Sequence, residues 1–207
     1  MQHVTADNLA HLAWCLTRIV RCRTGTGFAC LMARWWRIDM GEGCRFYGRP
    51  QFRRAAGSRI AIGRRCTFRS TAWASAAGIA RPCSLATFSD GASLRIEDDC
   101  GFSGTVIVAA ESVSIGVGTM CGANTSIQDT DWHAISSESG GAGGGGATAP
   151  VVIGPNVWLG AGVIVLKGTE IGHSTVVGAG SIVTRSLPPG VVAVGAPAKP
   201  VRDLNEL

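Results

Sequence analysis

From residue 153 onward, the aliphatic residues of this chain recur at intervals of six. A small residue follows most of them, and a small or β-branched residue stands four positions after all but the last. A period of six fits neither the 3.6-residue turn of an α-helix nor the two-residue alternation of a long strand. The recurring residues are Ile153, Leu159, Val165, Ile171, Val177 and Val183. The spacing therefore predicts short strands separated by tight turns, each strand placing one aliphatic side chain inward.

The same spacing recurs upstream in shorter pieces. Residues 70–93 interrupt it, and the register cannot be followed through them. The upstream repeat positions are Ile62 and Phe68, Ile96 and Phe102, and then Ile115, Cys121 and Ile127. Three such strands make one triangular coil, and stacked coils make a solenoid whose interior is a column of aliphatic side chains.

The segments IGPNVW, LGAGVI, IGHSTV and VGAGSI resemble the repeats of the hexapeptide-repeat acyltransferases. The resemblance covers residues 58–202 and implies an all-β fold, the left-handed parallel β-helix. The expected domains are an arginine-rich helical cap over 1–57, read from the apolar spacing and arginines of that segment, a β-helix over 58–202 with an excursion loop at 128–150, and a tail over 203–207. The segment GAPAKPVR is similar to the terminal GNPAK segment of that family, with Ala196 in place of asparagine. Members with this arrangement are typically homotrimers with their active sites between subunits.

The repeat stops after Ile127 and resumes at Ile153. The stretch between them begins QDTDWHAI and ends in a tract, residues 140–146, that is almost entirely glycine. Function in a solenoid tends to lie where the repeat is interrupted. We therefore expect an ordered, reactive first part and a flexible linker in the glycine tract.

His133 is the most reactive-looking residue of this interruption. A neutral imidazole can accept a proton from an alcohol near neutral pH, and the carboxylates of Asp129 and Asp131 are close enough in sequence to orient it. The segment DTDWHAI resembles the D-x-D-x-H-(P)-I segment of sugar and polysaccharide O-acetyltransferases, with Ala134 where many relatives have proline. The resemblance implies that His133 is a general base for direct transfer of an acetyl group from acetyl-CoA to a sugar hydroxyl, without a metal.

The resemblance also implies a CoA site in a groove between adjacent solenoids. Small residues allow the pantetheine arm to approach the backbone, and Lys or Arg can meet its phosphates. The matching positions are Trp158, Gly160, Ala161, Lys167, Gly178, Ala179, Lys199 and Arg202. Asn124 and Trp132 are candidates for contact with the acceptor.

The N-terminal third is strongly basic. Residues 1–69 hold 13 arginines and three acidic residues, a net charge of +10, whereas the remainder is −5. The apolar spacing predicts a helix over 8–22, a break at Gly25-Thr26-Gly27, and a second apolar segment over 28–38. Three uses stay open for this segment: a cap on the solenoid, a contact with an anionic membrane, or a site for a phosphorylated acceptor. The arginines could equally form a solvated face.

The eight cysteines lack paired spacing, which predicts reduced and mostly buried thiols in a cytoplasmic protein. Cys121 occupies an inward repeat position and is therefore expected to be inert. No apolar run reaches transmembrane length, so a membrane contact would be peripheral, at the inner face of the membrane. No nucleic-acid partner is expected.

The same repeat is also compatible with other functions. An amino-sugar N-acyltransferase, a small-molecule acetyltransferase and a non-catalytic scaffold would all share it. A zinc enzyme of the γ-carbonic anhydrase type would need three histidine ligands, and the solenoid region contains only His133 and His173.

Overall fold

The computed structural model describes residues 6–134 and 145–206. Within these residues, one long helix is followed by twenty short strands that wind into three sheets, which are parallel except where β20 pairs antiparallel with β19. The helix α1 spans Ala6–Trp35. Two single-turn 3₁₀ helices lie at Ala72–Ala74 and Leu204–Glu206.

The strands are numbered in chain order, and each coil places one strand in each sheet in turn. Sheet A contains β1 (Asp39–Met40), β4 (Arg59–Ile62), β7 (Ser93–Ile96), β10 (Ser112–Ile115), β13 (Val151–Ile153) and β16 (Glu170–Ile171). Sheet B contains β2 (Arg45–Tyr47), β5 (Thr67–Arg69), β8 (Gly101–Ser103), β11 (Met120–Ala123), β14 (Trp158–Leu159), β17 (Val176–Val177), β19 (Val191–Gly195) and β20 (Ala198–Asp203). Sheet C contains β3 (Gln51–Arg53), β6 (Ser84–Thr87), β9 (Val106–Ala109), β12 (Ser126–Gln128), β15 (Ile164–Val165) and β18 (Ile182–Val183).

Three columns of inward side chains fill the coil, one for each sheet, which confirms the interpretation of the six-residue spacing. The column of sheet A is Met40, Ile62, Ile96, Ile115, Ile153 and Ile171. The column of sheet B is Phe46, Phe68, Phe102, Cys121, Leu159, Val177 and Ala193. The column of sheet C is Phe52, Leu85, Ile107, Ile127, Val165 and Val183. All of these side chains except that of Met40 are buried.

The coils begin at Asp39, nineteen residues before the predicted start at residue 58. The first coil keeps the six-residue spacing, but it fills its columns with Met40, Phe46 and Phe52 rather than with aliphatic residues. The rings of Phe46 and Phe68 stack at 4.6 Å, and those of Phe68 and Phe102 stack at 4.9 Å. The aromatic stack widens the column of sheet B at this end of the solenoid and hides the repeat from a search for aliphatic residues.

The predicted break at Gly25-Thr26-Gly27 is wrong, because α1 continues through it. Gly25 lies so close to the first coil that an added Cβ would stand 2.5 Å from the carbonyl oxygen of Phe46. The hydroxyl of Thr26 accepts a hydrogen bond of 3.0 Å from the amide of Phe46. Tertiary contact thus holds a helix through residues that disfavour one locally.

Five of the cysteines are buried, and none of the described cysteines forms a disulfide. Several of them stand at the corner between sheets A and B, where they replace a hydroxyl residue of the repeat. There the thiols of Cys44, Cys66 and Cys100 donate to backbone carbonyls of the next coil, as the hydroxyl of Thr119 does. Hydrogen bonding with Cys100, together with burial, raises the pKa of Cys66 to about 12. Burial raises the pKa of Cys121, so its thiol is a core side chain and not a nucleophile.

Candidate active site

The excursion loop leaves and re-enters the solenoid through a paired neck at the corner between sheets C and A, here called the C–A corner. Thr130 and Thr148 form an antiparallel bridge. The amide of Asp131 donates to the carbonyl of Ala147 at 3.0 Å, and the amide of Ala149 donates to the carbonyl of Asp129 at 3.0 Å. Residues 129–134 are therefore one arm of a short hairpin rather than an unattached loop. Most of the predicted glycine linker, residues 140–144, lies outside the described residues.

Asp129 anchors the neck to the preceding coil. Its side chain is fully buried, and its two carboxylate oxygens accept hydrogen bonds from the amides of Ala110 and Glu111, at 2.7 and 2.8 Å. Two amide donors satisfy a buried carboxylate that would otherwise be costly to desolvate. These contacts give Asp129 a structural place at the corner instead of the imidazole contact predicted from the sequence.

Asp131 is paired with a lysine of the following coil. Its Oδ2 lies 3.0 Å from the Nζ of Lys167, and both side chains are about 30% exposed. The backbone carbonyl of Asp131 also accepts a 2.7 Å hydrogen bond from the amide of His133. Lys167, which the sequence assigns to CoA, therefore stands at the C–A corner, apart from the other predicted donor residues.

His133 is exposed at the end of this arm. Trp132 before it adopts a left-handed backbone conformation, with φ of +66°, which turns the chain sharply at this point. Gly146 on the opposite arm packs against the turn, and an added Cβ would stand 2.6 and 2.7 Å from the amide nitrogens of Trp132 and His133. Position 146 therefore requires glycine, because the two arms of the neck approach each other too closely for a side chain. This contact holds the backbone that carries the imidazole of His133.

An aromatic surface is formed by Trp132, the residue before His133, and by Phe88, which was not among the predicted site residues. The ring of Trp132 meets the ring of Phe88 edge to face at 4.9 Å, and its Nε1 donates to Oε1 of Gln128 at 3.1 Å. The guanidinium of Arg53 lies 4.8 Å from the centre of the Phe88 ring. Trp132 and Phe88 are 42% and 41% exposed, so both present open ring surface. Phe88 falls within the residues whose register the repeat did not reveal.

The other predicted donor residues gather at the corner between sheets B and C, here called the B–C corner. Gly160 and Ala161 stack on Gly178 and Ala179, so closely that a Cβ on Gly160 would stand 2.6 Å from the amide nitrogen of Ala179. Ala161 and Ala179 are exposed. The corner therefore offers a narrow track of small residues with accessible backbone, bounded by exposed side chains.

Trp158 stands next to this track on the outer face of sheet B and is 57% exposed, as its outward repeat position predicts. It lies between Met120 and Val176 of the neighbouring coils. Lys199 and Arg202 are exposed on β20, the antiparallel strand that ends the same sheet. The predicted donor residues other than Lys167 thus share one side of the solenoid.

Asn124 belongs to the B–C corner as well, and its side chain is engaged there. It has a φ of +62°, its Oδ1 accepts from the amide of Ala80 at 2.8 Å, and its Nδ2 donates to the carbonyl of Gly78 at 3.1 Å. These contacts fasten the insertion between β5 and β6. They give Asn124 a structural partner in place of the acceptor contact predicted for it.

Within the described residues, no group of three His, Cys, Asp or Glu side chains could hold a metal ion. Nor is any helix in the described part of the chain long and apolar enough to cross a membrane.

Residues 150–185 match the family described as bacterial transferase hexapeptide (six repeats). The hexapeptide repeat of that family is therefore present over this part of the chain. The fold of the chain is the left-handed parallel β-helix expected from the repeat. Galactoside O-acetyltransferase of Lactococcus lactis is 42% identical over 100 residues, which are 48% of this chain and 47% of the relative. This chain spans about a quarter to a half of the length of the curated relatives that it matches.

Two solved structures share the fold. The N-acyltransferase AntD of Bacillus cereus, in complex with a dTDP-amino sugar and coenzyme A, superposes with a TM-score of 0.61 at 16% identity, over 80% of this chain and 83% of that one. A galactoside acetyltransferase in complex with coenzyme A gives a TM-score of 0.52 at 27% identity, over 80% and 66% of the two chains. The hexapeptide-repeat fold of this protein is therefore one on which CoA-dependent transferases are built.

Proposed function

We propose that this protein is an acetyl-CoA-dependent O-acetyltransferase that acts on a sugar hydroxyl, with His133 as the general base. The observation that carries the proposal is the position of His133, exposed at the paired neck of the excursion loop. The similarity to galactoside O-acetyltransferases supports the choice of reaction and of acceptor class. An acetyl-CoA donor supports a cytoplasmic location for the reaction.

The imidazole of His133 takes the proton of the acceptor hydroxyl, and the oxygen attacks the carbonyl carbon of the thioester. The tetrahedral intermediate collapses as the C–S bond breaks. The imidazolium returns its proton to the departing CoA thiolate, so that the products are an acetyl ester and free CoA. A backbone amide stabilises the oxyanion. No acyl-enzyme is formed, in keeping with the burial of Cys121.

Asp131 and Lys167 position the base in this proposal. Their ion pair joins the arm that carries His133 to the next coil, and the carbonyl of Asp131 holds the amide of His133. Asp129 acts one step further back, through the amides of Ala110 and Glu111. Neither contact places a carboxylate on the imidazole, so both residues are positioning residues rather than catalytic ones.

Trp132 and Phe88 supply the acceptor platform. Their open rings are paired at the residue that precedes His133, and an aromatic ring offers the apolar face of a pyranose a flat surface to pack against. Polar groups at the edges of the platform, on Gln128 and Arg53, can meet the hydroxyls or an acidic group of the sugar. Asn124 is not part of this platform, because its side chain amide is held by the insertion.

The proposed site is shared between copies of the chain. Within one chain the C–A corner and the B–C corner lie on opposite sides of sheet C, so that His133 and the donor track are separated by the width of that sheet. A homotrimer with parallel solenoid axes brings the C–A corner of one copy to the B–C corner of the next. CoA then lies between them, against Gly160, Ala161, Gly178 and Ala179 with Trp158 beside it, and Lys199 and Arg202 meet its phosphates.

The experiment that tests the function is an acceptor screen with labelled acetyl-CoA, run on pairs of acceptors that share a ring and differ only in a hydroxyl or an amino group. Transfer to the hydroxyl member, giving an alkali-labile product, supports the proposal. Exclusive transfer to the amino member, giving an alkali-stable amide, would show an amino-sugar N-acyltransferase instead. Absence of transfer with all acceptors, from protein that still binds CoA, would contradict an acetyltransferase of sugars.

A further inference from the structure

The helix α1 has two faces with different surroundings. One face packs on the first coil: Ala29 and Ala33 are buried there, and Met32 and Trp36 pack against the core. This part of the helix caps the end of the solenoid. The part before Thr24 contributes little to the core, because only Cys15 and Cys22 are even half-buried among the described side chains of residues 9–23.

The opposite face of α1 is apolar and uncovered. Its large side chains recur at helical spacing, and each of them is between 51% and 78% exposed. They are Leu9, Leu12, Leu16, Ile19, Val20, Leu31 and Trp35. A stripe of this size on a single helix marks an interaction surface rather than scattered exposed residues. We refer to these seven residues as the outer face of α1.

The charges near this face are all of one sign. Arg23 stands three residues after Val20, and Arg34 stands three residues after Leu31, so both project from the same side of the helix. Both are exposed. Residues 8–38 contain no aspartate or glutamate. The outer face of α1 thus combines apolar side chains with uncompensated positive charge.

A basic groove runs beside the helix, between it and the first coil. It has a volume of about 660 Å³, and Arg18, Arg23 and Arg45 line it together with the apolar side chain of Ile19. Arg18 is held over the ring of Tyr47 at 5.4 Å, so that its guanidinium is kept at the groove. A groove with apolar walls and several guanidinium groups fits a phosphate headgroup attached to an acyl chain.

We infer that the outer face of α1 is a docking site for an anionic phospholipid bilayer. The apolar side chains enter the boundary between headgroups and acyl chains, and the arginines contact the lipid phosphates, as in interfacial amphipathic helices. A second copy of the same helix is a poorer occupant, because contact between two outer faces would bury Arg23 and Arg34, and residues 8–38 hold no aspartate or glutamate to meet them. A soluble phosphorylated ligand would leave the seven apolar side chains uncovered.

This inference goes beyond the proposed activity and is independent of it. It would place the enzyme at a membrane surface with its catalytic corner about three coils away, a distance of ~15 Å at the spacing of neighbouring strands. The bilayer would then meet the N-terminal end of the solenoid, while the corners that carry His133 and the donor track stay in water.

The test is flotation of the full-length protein with phosphatidylcholine vesicles that either contain or lack phosphatidylglycerol. We expect flotation with the anionic vesicles and loss of flotation at high salt. The double substitution L16E/I19E should lower binding by about tenfold or more, because two exposed apolar contacts are replaced by charges that the lipid repels. The matched control is V201E, a similarly exposed valine on β20 at the other end of the solenoid.

The arginines are tested by R23Q/R34Q, which should reduce binding to anionic vesicles and leave the weak binding to neutral vesicles unchanged. Circular dichroism of each variant checks that the helix is retained. Failure of the wild-type protein to float with anionic vesicles at low salt would overturn the inference. So would L16E/I19E protein that floats like the wild type, or that loses an oligomeric state instead of lipid binding. None of these outcomes depends on acetyl transfer.

Discussion

Oδ2 of Asp131 lies 3.0 Å from Nζ of Lys167, and this half-buried pair ties the arm that carries His133 to the following coil. The pair restrains the arm from the C-terminal side, while the contacts of Trp132 with Gln128 and Phe88 restrain it from strands on the other side. It also places Lys167 at the C–A corner, apart from the other residues that the sequence assigned to the donor.

We predict that Asp131→Asn and Lys167→Met each lower kcat by about tenfold, and that the double variant is no worse than either single one, since the two residues act as a unit. The KM for acetyl-CoA should change little. Steady-state kinetics over a range of pH provides the measurement, because a change in how His133 is held alters the pH profile as well as the rate. Additive losses would contradict a shared role, and a large rise in the KM for acetyl-CoA in Lys167→Met would return this lysine to the donor site.

Asp129 should matter for stability more than for chemistry. Asp129→Ala leaves the partly buried amides of Ala110 and Glu111 without their acceptor, which costs about 2–4 kcal/mol of unfolding free energy for two such groups. Asp129→Asn retains one acceptor and should fall between this variant and the wild type. Urea unfolding measures the difference, with Asp131→Asn as a partly exposed control. An Asp129→Ala protein of normal stability and greatly reduced kcat would restore Asp129 to the catalytic role predicted from the sequence.

The aromatic platform is tested by Phe88→Leu and Trp132→Leu. Each removes ring surface while keeping apolar bulk, so we expect the KM for the sugar acceptor to rise by about tenfold, in line with the loss of one stacked ring. The KM for acetyl-CoA should stay within about twofold of the wild type, because the two rings are assigned to the acceptor and not to the donor. The control is Val152→Ala on the outer face of sheet A, which is also about 40% exposed. Unchanged acceptor kinetics in both leucine variants would remove the platform from the account.

A site shared between copies predicts that two inactive variants can complement each other. Ala161→Trp blocks the donor track at an exposed position and keeps His133, whereas His133→Ala keeps the track. In trimers mixed at random in equal amounts, about a quarter of the interfaces pair an intact base with an intact track. Activity should therefore return to roughly a quarter of the wild-type value after mixing and reassembly. No recovery from well-mixed oligomers would place both corners in a site within one chain.

The sequence predicted the solenoid in detail because its constraint is local. Every inward position must carry an apolar side chain, and the aliphatic residues Leu159 and Val165 show that constraint directly. The first coil was not predicted, because Phe46 and Phe52 satisfy the same constraint with aromatic rings. The continuation of α1 through Gly25 could not be predicted from the sequence, because it depends on a close contact with the carbonyl of Phe46, which is distant in the chain.

The candidate site was predictable only in part for a similar reason. The interruption of the repeat identified the segment that holds His133, but the partners of that segment come from other coils. Lys167 reaches Asp131 from one coil later, and Phe88 reaches Trp132 from two coils earlier. Such neighbours are set by the stacking of coils, and in the case of Phe88 by an insertion that conceals its register.

The most direct measurement is the rate of acetyl transfer by His133→Ala, with His173→Ala as the matched control. His173 is also exposed, but it lies at the corner between sheets A and B, away from the proposed site. The account predicts that His133→Ala folds and assembles normally and loses ~10²–10⁴-fold in kcat, the usual worth of a general base, while His173→Ala keeps full activity. A His133→Ala enzyme with near-normal kcat would contradict the account.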